Sequence, residues 1–314
     1  MSERTTRADA VQLSRSLWGI LPDKETLVGW TSVTPVGFLY LVITIIPITF
    51  AIYASLHDIR LLNPAWEFVG LENYGEVLAL DQFWASLWRG TAYMIVSTLL
   101  QLVTGVYIAL VLNRIAFVRR IVTTIVFTAY LIPIVVIALA ATMMFDPFVG
   151  VFHVIGSEWL GLWGANEYAL GSKTLAMPLV ILIGSWKYTI FISIFTLAQL
   201  RSIPDSYYQV AKVVGANKWQ MFRDITLPRI KGVLLVAILL RSIFMFNKFD
   251  IWWMLTKGGP GYSTTTLPVL AYRQTFIEGY YGLGNSIAVV MFVFLAFGGI
   301  LYFRLFNPSE EVET

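Results

Sequence analysis

Apolar stretches of about 20 residues alternate along the chain with shorter polar ones, and that is the length an α-helix needs to cross the hydrocarbon of a bilayer. The pattern predicts about six membrane helices, at residues 33–56, 93–112, 121–145, 175–200, 233–255 and 285–306. The expected fold class is all-α, a polytopic membrane helix bundle. It comprises a polar tail over 1–32, one membrane domain over 33–306 and a short tail over 307–314. Pro35, Pro47, Pro133 and Pro178 fall inside the expected helices, where each removes a backbone donor and favours a kink that neighbouring helices or a cavity must accommodate. One polar break, 202–232 between the fourth and fifth spans, is too long for a turn.

Composition agrees with this reading: 57% of residues are hydrophobic and 13% charged, against about 25% charge in soluble chains. Mean hydropathy is +0.71. There is no cysteine, and His57 and His153 are the two histidines, which leaves little for metal or imidazole chemistry. A net charge of +3 is too small and too dispersed for nucleic acid. It serves instead to orient the chain. Arg4, Arg7, Arg15 and Lys24, the turn with Arg114, Arg119 and Arg120, and the 202–232 segment are basic, whereas the alternate loops carry few cations, so both termini are expected on the cytoplasmic side. Trp84, Trp88, Trp159, Trp163, Tyr262, Tyr280 and Tyr281 fall at the outer ends of spans, where a headgroup belt is expected. No H-E-x-x-H, phosphate-loop pattern or nucleophile with its base occurs, so catalysis is not expected, and Gly258, Gly259, Pro260 and Gly261 read as a turn ending the fifth span.

The 202–232 break predicts a helix, a glycine elbow and a second helix. Ser202, Pro204 and Asp205 predict a helix start, with the Ser202 hydroxyl as its cap. Gly215 permits a left-handed stop, and Asn217 can cap a short helix through Trp219 and Phe222 that Pro228 ends. Val210, Val213, Val214, Trp219 and Phe222 make it apolar. Two explanations fit, a protein docking surface or an amphipathic helix lying on the membrane.

Gln209, Val210 and Ala211, three residues, then Gly215 and Ala216, with Phe222, Ile225, Leu227 and Pro228 following, resemble the E-A-A, three residues, G loop of ABC importer permeases. The resemblance implies a MetI-like permease fold in which Gln209, Ala211, Gly215, Ala216, Trp219, Phe222 and Pro228 couple to an ATPase. Gln209 and Val214 replace the acidic residues usual there; a neutral Gln only hydrogen-bonds, which places more of the docking on shape. Phe68 to Tyr74, reading F-V-G-L-E-N-Y, and the stretch from Arg241 to Pro260 with Thr264, Thr265 and Thr266 resemble the carbohydrate branch, the maltose and glycerol-phosphate type. That branch implies sugar contacts at Lys187, Tyr188, Phe191, Met245 and Lys248, to which Asn247 and Asp250 are added on their chemistry. Beside Lys187 and Tyr188, Trp186 adds a further ring, a mixture of faces and donors suited to a pyranose.

Each charge at the centre of a span is costly, at about 2.5 to 3.5 kcal/mol. Arg241 and Asp250 are therefore either structural, pairing with other helices, or part of the site. In a continuous helix Lys248 and Asp250 point apart, so no ion pair between them is expected, whereas Arg241 and Lys248 share a face. The implied partners are a second homologous permease, two ABC ATPase subunits carrying ATP and Mg, and an extracytoplasmic substrate-binding protein. They would assemble in a prokaryotic cell membrane, with no cofactor on this chain. The competing expectations are a permease of the same family for a non-sugar solute, such as an amino acid or phosphate, and an ion-coupled secondary transporter.

Overall fold

The structure, a computed structural model, describes residues 24–114 and 119–306. Arg4, Arg7, Arg15, the tail 307–314 and the side chains of Arg119 and Arg120 lie outside the described residues. The chain divides into a unit Met1–Tyr53 and a unit Ala54–Thr314.

In the first unit, helix α1 (Lys24–Tyr40), with Pro35 inside it, leads through a π-turn, Leu41–Ile45, into α2 (Ile46–Ser55), whose last two residues, Ala54 and Ser55, belong to the second unit. The apolar side chains of the first unit, among them Val33, Phe38, Ile43 and Phe50, are exposed, as a helix whose solvent is lipid allows. The π-turn stands immediately before the Ile46-Pro47 pair. A proline ring collides with the carbonyl four residues earlier, here Ile43, and widening that turn by one residue moves the carbonyl aside.

The second unit opens on an antiparallel hairpin, β1 (His57–Arg60) with β2 (Asn63–Phe68), a small addition to the all-α expectation. The F-V-G-L-E-N-Y stretch closes it. Gly70 takes a left-handed φ of 58°, Asn73 Nδ2 donates to the Ser55 and His57 carbonyls at 2.9 and 3.0 Å, and the Tyr74 hydroxyl meets Ser55 Oγ at 2.6 Å. After α3 (Glu72–Ala79) comes α4 (Asp81–Arg114), a 34-residue helix that begins well before the expected span.

The expected third span is two helices, α5 (Arg119–Leu131) and α6 (Ile134–Met144). Pro133 starts α6 with an extended ψ of 142°, because it cannot donate and its ring bars the preceding residue from helical geometry. A short helix α7 (Val151–Val154) and a π-turn, Ile155–Trp159, follow. Trp163 is partly buried and packs within the protein. Its ring lies against Gly156, and its indole N–H donates to His153 Nδ1 at 3.3 Å while His153 Nε2 meets the Ala165 carbonyl at 2.8 Å.

Helix α8 (Ala176–Ser202) holds Pro178 in its first turn, where no backbone bond is lost and no kink is required. It packs along α4 through small residues. A Cβ on Gly105 would lie 2.9 Å from Ile192, and the Thr104 and Thr189 hydroxyls bond at 2.9 Å across the pair. Beyond the 202–232 loop, which contains α9 (Asp205–Val213) and α10 (Lys218–Met221), the chain runs through α11 (Leu227–Phe246), α12 (Asp250–Thr256), α13 (Leu267–Tyr272) and α14 (Tyr281–Phe306). The glycine turn after α12 is held from inside, with Thr264 and Thr265 hydroxyls donating to the Gly259 and Gly258 carbonyls, each at 2.8 Å.

Among the described residues, four helices are long and apolar enough to span a membrane, or five if the bent pair Lys218–Phe246 and Asp250–Thr256 is one span. The expected six reduce to this number because Pro133 divides one of them into pieces of 13 and 11 residues.

Candidate functional site

The fifth span breaks at Asn247, Lys248 and Phe249, and its two parts are turned by 44°. Asp250 begins the new helix, its Oδ1 accepting the Ile251 amide at 2.9 Å, a carboxylate at the positive end of a helix. Its Oδ2 lies 3.5 Å from Lys248 Nζ. The expectation that these two residues point apart is therefore corrected, since it assumes a continuous helix and the break folds Lys248 back toward the carboxylate.

Beside the break lies a cavity of about 520 Å³, lined by Tyr130, Tyr188, Arg241, Phe244, Asn247, Lys248, Phe249 and Asp250. It brings together Tyr188, Asn247, Lys248 and Asp250 from the expected contacts. The other three stand behind it. Lys187 turns its ammonium to the carbonyls that Pro133 frees, at 3.1 Å from Tyr130 O and 2.6 Å from Ile132 O. Met245 is fully buried, and Phe191 lies under the Arg241 guanidinium, 5.2 Å from ring centroid to Cζ. Trp186 is exposed and lines a separate, mostly apolar cavity of about 420 Å³.

Arg241 is the centre of the arrangement. It is 2% exposed, donates from Nε to Gln101 Oε1 at 2.8 Å and from Nη2 to Met245 Sδ at 3.4 Å, and stacks 5.1 Å from the Tyr188 centroid. Lys248 and Lys187 ammoniums stand 4.4 and 5.8 Å from the same centroid. Cations over a phenol face are attracted by its quadrupole. Tyr93 and Trp252, edge to face at 4.9 Å, form part of the packing behind the Tyr188 and Ile251 side chains. Tyr130 and Gln101 escaped the sequence reading. Gln101 had a signal, a polar amide midway through an apolar span; Tyr130 had none beyond its place before Pro133.

The second region of interest is the loop between α8 and α11. Gly215, at φ 81°, ends α9 with two bonds, Gly215 N to Lys212 O at 3.1 Å and Ala216 N to Ala211 O at 2.9 Å, which take up carbonyls the helix leaves over. Asn217 then caps α10 reciprocally with Gln220, at 2.9 and 2.8 Å. Ser202 does not cap α9; it remains in α8 and its hydroxyl donates back to Gln199 O at 2.8 Å, leaving Pro204 as the cap position. Nor does Pro228 end a helix. The π-turn Phe222–Thr226 precedes the Leu227-Pro228 pair as the other precedes Ile46-Pro47, and the helix continues through it. Beside this turn the Arg223 guanidinium, 2.6 Å away, holds the Asp224 carboxyl below the usual carboxylate range by its hydrogen bond.

Val210, Val213, Val214 and Trp219 are exposed on this loop, and Gln209 with them, while Ala211, Ala216 and Phe222 are half-buried. Ser206, Tyr207, Val210, Ala211 and Ile225 line a groove of about 430 Å³. Arg229 stacks 4.4 Å from Tyr207 and the Tyr208 and Thr226 hydroxyls bond at 3.0 Å, which fixes α9 to the foot of α11.

A membrane helix bundle with a polar cavity at a broken helix and a rigid, apolar-tipped loop is the architecture of a transport permease. The model of the binding-protein-dependent transport system inner membrane component family matches residues 101–309, and the chain belongs to that family, whose members are transport subunits of ABC importers rather than enzymes. The trehalose/maltose transport system permease protein MalF of Thermococcus litoralis is 33% identical over 293 residues, covering 93% of this chain and 98% of that protein. The sulfoquinovosyl glycerol transport system permease protein SmoG of Agrobacterium fabrum is 31% identical, over 99% of this chain and 100% of that protein. Among solved structures, a bacterial alginate ABC transporter in complex with an alginate pentasaccharide-bound periplasmic protein has a chain of the same fold, with a TM-score of 0.78 at 23% identity, covering 90% of this chain and 94% of that one.

Proposed function

We propose that the chain forms the translocation path of a sugar importer, and that the cavity at the helix break is where the sugar passes. The observation that carries this reading is Tyr188, which lines the same cavity as Asn247, Lys248 and Asp250. An aromatic face for the pyranose with a few convergent polar groups for its hydroxyls is what a sugar needs. Lys187, Phe191 and Met245 act from behind the cavity, holding Tyr188 and Arg241 in place. The sugar-related names of the two relatives support the same substrate class.

The loop is the coupling element. Gln209, Ala211, Gly215, Ala216, Trp219, Phe222 and Pro228 shape a surface that docks on an ATPase subunit, and ATP with Mg binds on that partner. This places the loop and both termini on the cytoplasmic side, with the hairpin and the glycine turn outside, where a substrate-binding protein delivers the sugar. Alternating access follows, with a second, homologous permease and two ATPase subunits completing the complex. The test is reconstitution of the complex with its receptor and a panel of sugars, read as stimulated ATP hydrolysis. A sugar is expected to stimulate it. Stimulation by an amino acid or an ion and by no sugar overturns the substrate class, and uptake that persists without the ATPase overturns the mechanism.

A further inference from the structure

Positive charge around Tyr188 exceeds negative charge. Lys187, Arg241 and Lys248 all lie within 5.8 Å of its ring centroid, and Asp250 is the one carboxylate that lines the cavity among the described residues. That carboxylate is engaged already, one oxygen on the Ile251 amide at 2.9 Å and the other 3.5 Å from Lys248. Lys187 is engaged too, by two backbone carbonyls. Arg241 is different. It is 2% exposed, its acceptors are the neutral Gln101 Oε1 and Met245 Sδ, and its Nη1 group has no acceptor among the described residues. A buried guanidinium without a counter-ion is costly to keep, and its planar fork fits a carboxylate or phosphate through two parallel bonds.

We propose that the transported sugar is acidic, bearing a carboxylate, sulfonate or phosphate, and that Arg241 and Lys248 hold that group while its ring lies on Tyr188. This rests on the reading of the cavity as the sugar site. The acid supplies the charge that Asp250 alone does not, and on its departure the unbalanced cations remain in the cavity, so the empty and loaded states differ electrostatically as well as sterically. A neutral sugar offers hydroxyls to Lys248 but leaves Arg241 uncompensated.

The test uses the reconstituted complex with matched pairs, glucose against glucuronate and a glucosyl disaccharide against its uronate, scoring the concentration that half-stimulates ATP hydrolysis. The acidic member is expected to act at a concentration about tenfold lower or less, the scale of one charge-assisted contact. Arg241→Gln, which keeps a donor for Gln101, and Lys248→Gln, at a more open position, are each expected to narrow that gap. A neutral member acting at an equal or lower concentration overturns the acidic substrate and leaves the sugar reading standing. Variants that weaken both members equally make Arg241 and Lys248 structural and also overturn it. An amino acid that stimulates where no sugar of either kind does removes the sugar reading, and this proposal with it.

Discussion

The cavity and the 202–232 loop are built on opposite principles. In the cavity charged groups are buried and apolar rings orient them: Arg241 is 2% exposed, bonded to Gln101 and stacked on Tyr188. In the loop apolar groups are exposed and backbone devices orient them, with Val213 87% exposed beside a glycine stop and an asparagine cap. The cavity gathers side chains from α5, α8, α11, the 247–249 break and the start of α12, as much as a hundred and more positions apart in sequence, with Gln101 of α4 bonded to Arg241 behind it. The loop is complete within about thirty residues. Damage to the cavity should therefore alter how much substrate is needed, and damage to the loop how much work each ATP performs.

Arg241→Met makes the sharpest break. It removes the buried charge at similar length, so the bundle is expected to retain or gain thermal stability, as replaced buried charges often do. Half-stimulation of ATP hydrolysis by substrate is expected to require roughly 10 to 100 times more substrate, the value of a charged contact. A fall in thermal midpoint with unchanged substrate dependence would place Arg241 among the structural residues.

Gly215→Val probes the other side. A Cβ at this glycine meets no atom within 4 Å, so space is not the constraint; φ at 81° is. A β-branched residue is strained in that conformation by about 1–2 kcal/mol or more, and the elbow shifts to relieve it. Substrate taken up per ATP hydrolysed is expected to fall by about tenfold while half-stimulation stays put. Gly215→Asn, which tolerates left-handed backbone, should retain most coupling. If valine transports normally, the elbow is not the coupling element.

That contrast also explains what the sequence made legible. Gly215, Asn217 and the Phe222-to-Pro228 ending are local signals, so the helix, elbow and helix followed from spacing, apart from the Ser202 cap and the proline stop. Helix breaks are decided by neighbours instead. Nothing near Asn247 announces that the chain leaves α-geometry there, because the stop depends on Asp250 opening a new helix, with its carboxylate on the Ile251 amide, and on Lys248 folding back to it. Pro133 was visible as a kink, but its division of a span requires a donor for the freed carbonyls, and that donor, Lys187, is 55 positions from Ile132.

Lys187→Met tests that division of labour. Removing the ammonium leaves the Tyr130 and Ile132 carbonyls without their side-chain partner, a local loss of about 1 kcal/mol, the lower end of the range because the acceptors are only partly buried. Faster backbone hydrogen exchange around 130–137 and a lower thermal midpoint are expected, with half-stimulation changed less than in Arg241→Met. An equal shift in substrate dependence without any loss of stability would return Lys187 to the substrate's own contacts.

Asn217→Ala carries the smallest effect and isolates the loop from the bundle. Asn217 Oδ1 accepts the Gln220 amide, and the Gln220 side chain returns the bond to the Asn217 amide, so both donors at the start of α10 are satisfied by two neighbouring residues alone. Alanine deletes the first bond and frees Gln220, which costs about 1 kcal/mol, borne by one turn of exposed helix rather than by the membrane core. The global thermal midpoint is therefore expected to stay where it is, while amide exchange over 217–222 rises and uptake per ATP drops by less than twofold. Asn217→Ser, which keeps an accepting oxygen, is expected to restore both. A global loss of stability from Asn217→Ala would mean that the loop is held by the bundle after all, and the separation between a cavity assembled at long range and a loop assembled locally would fail at the loop.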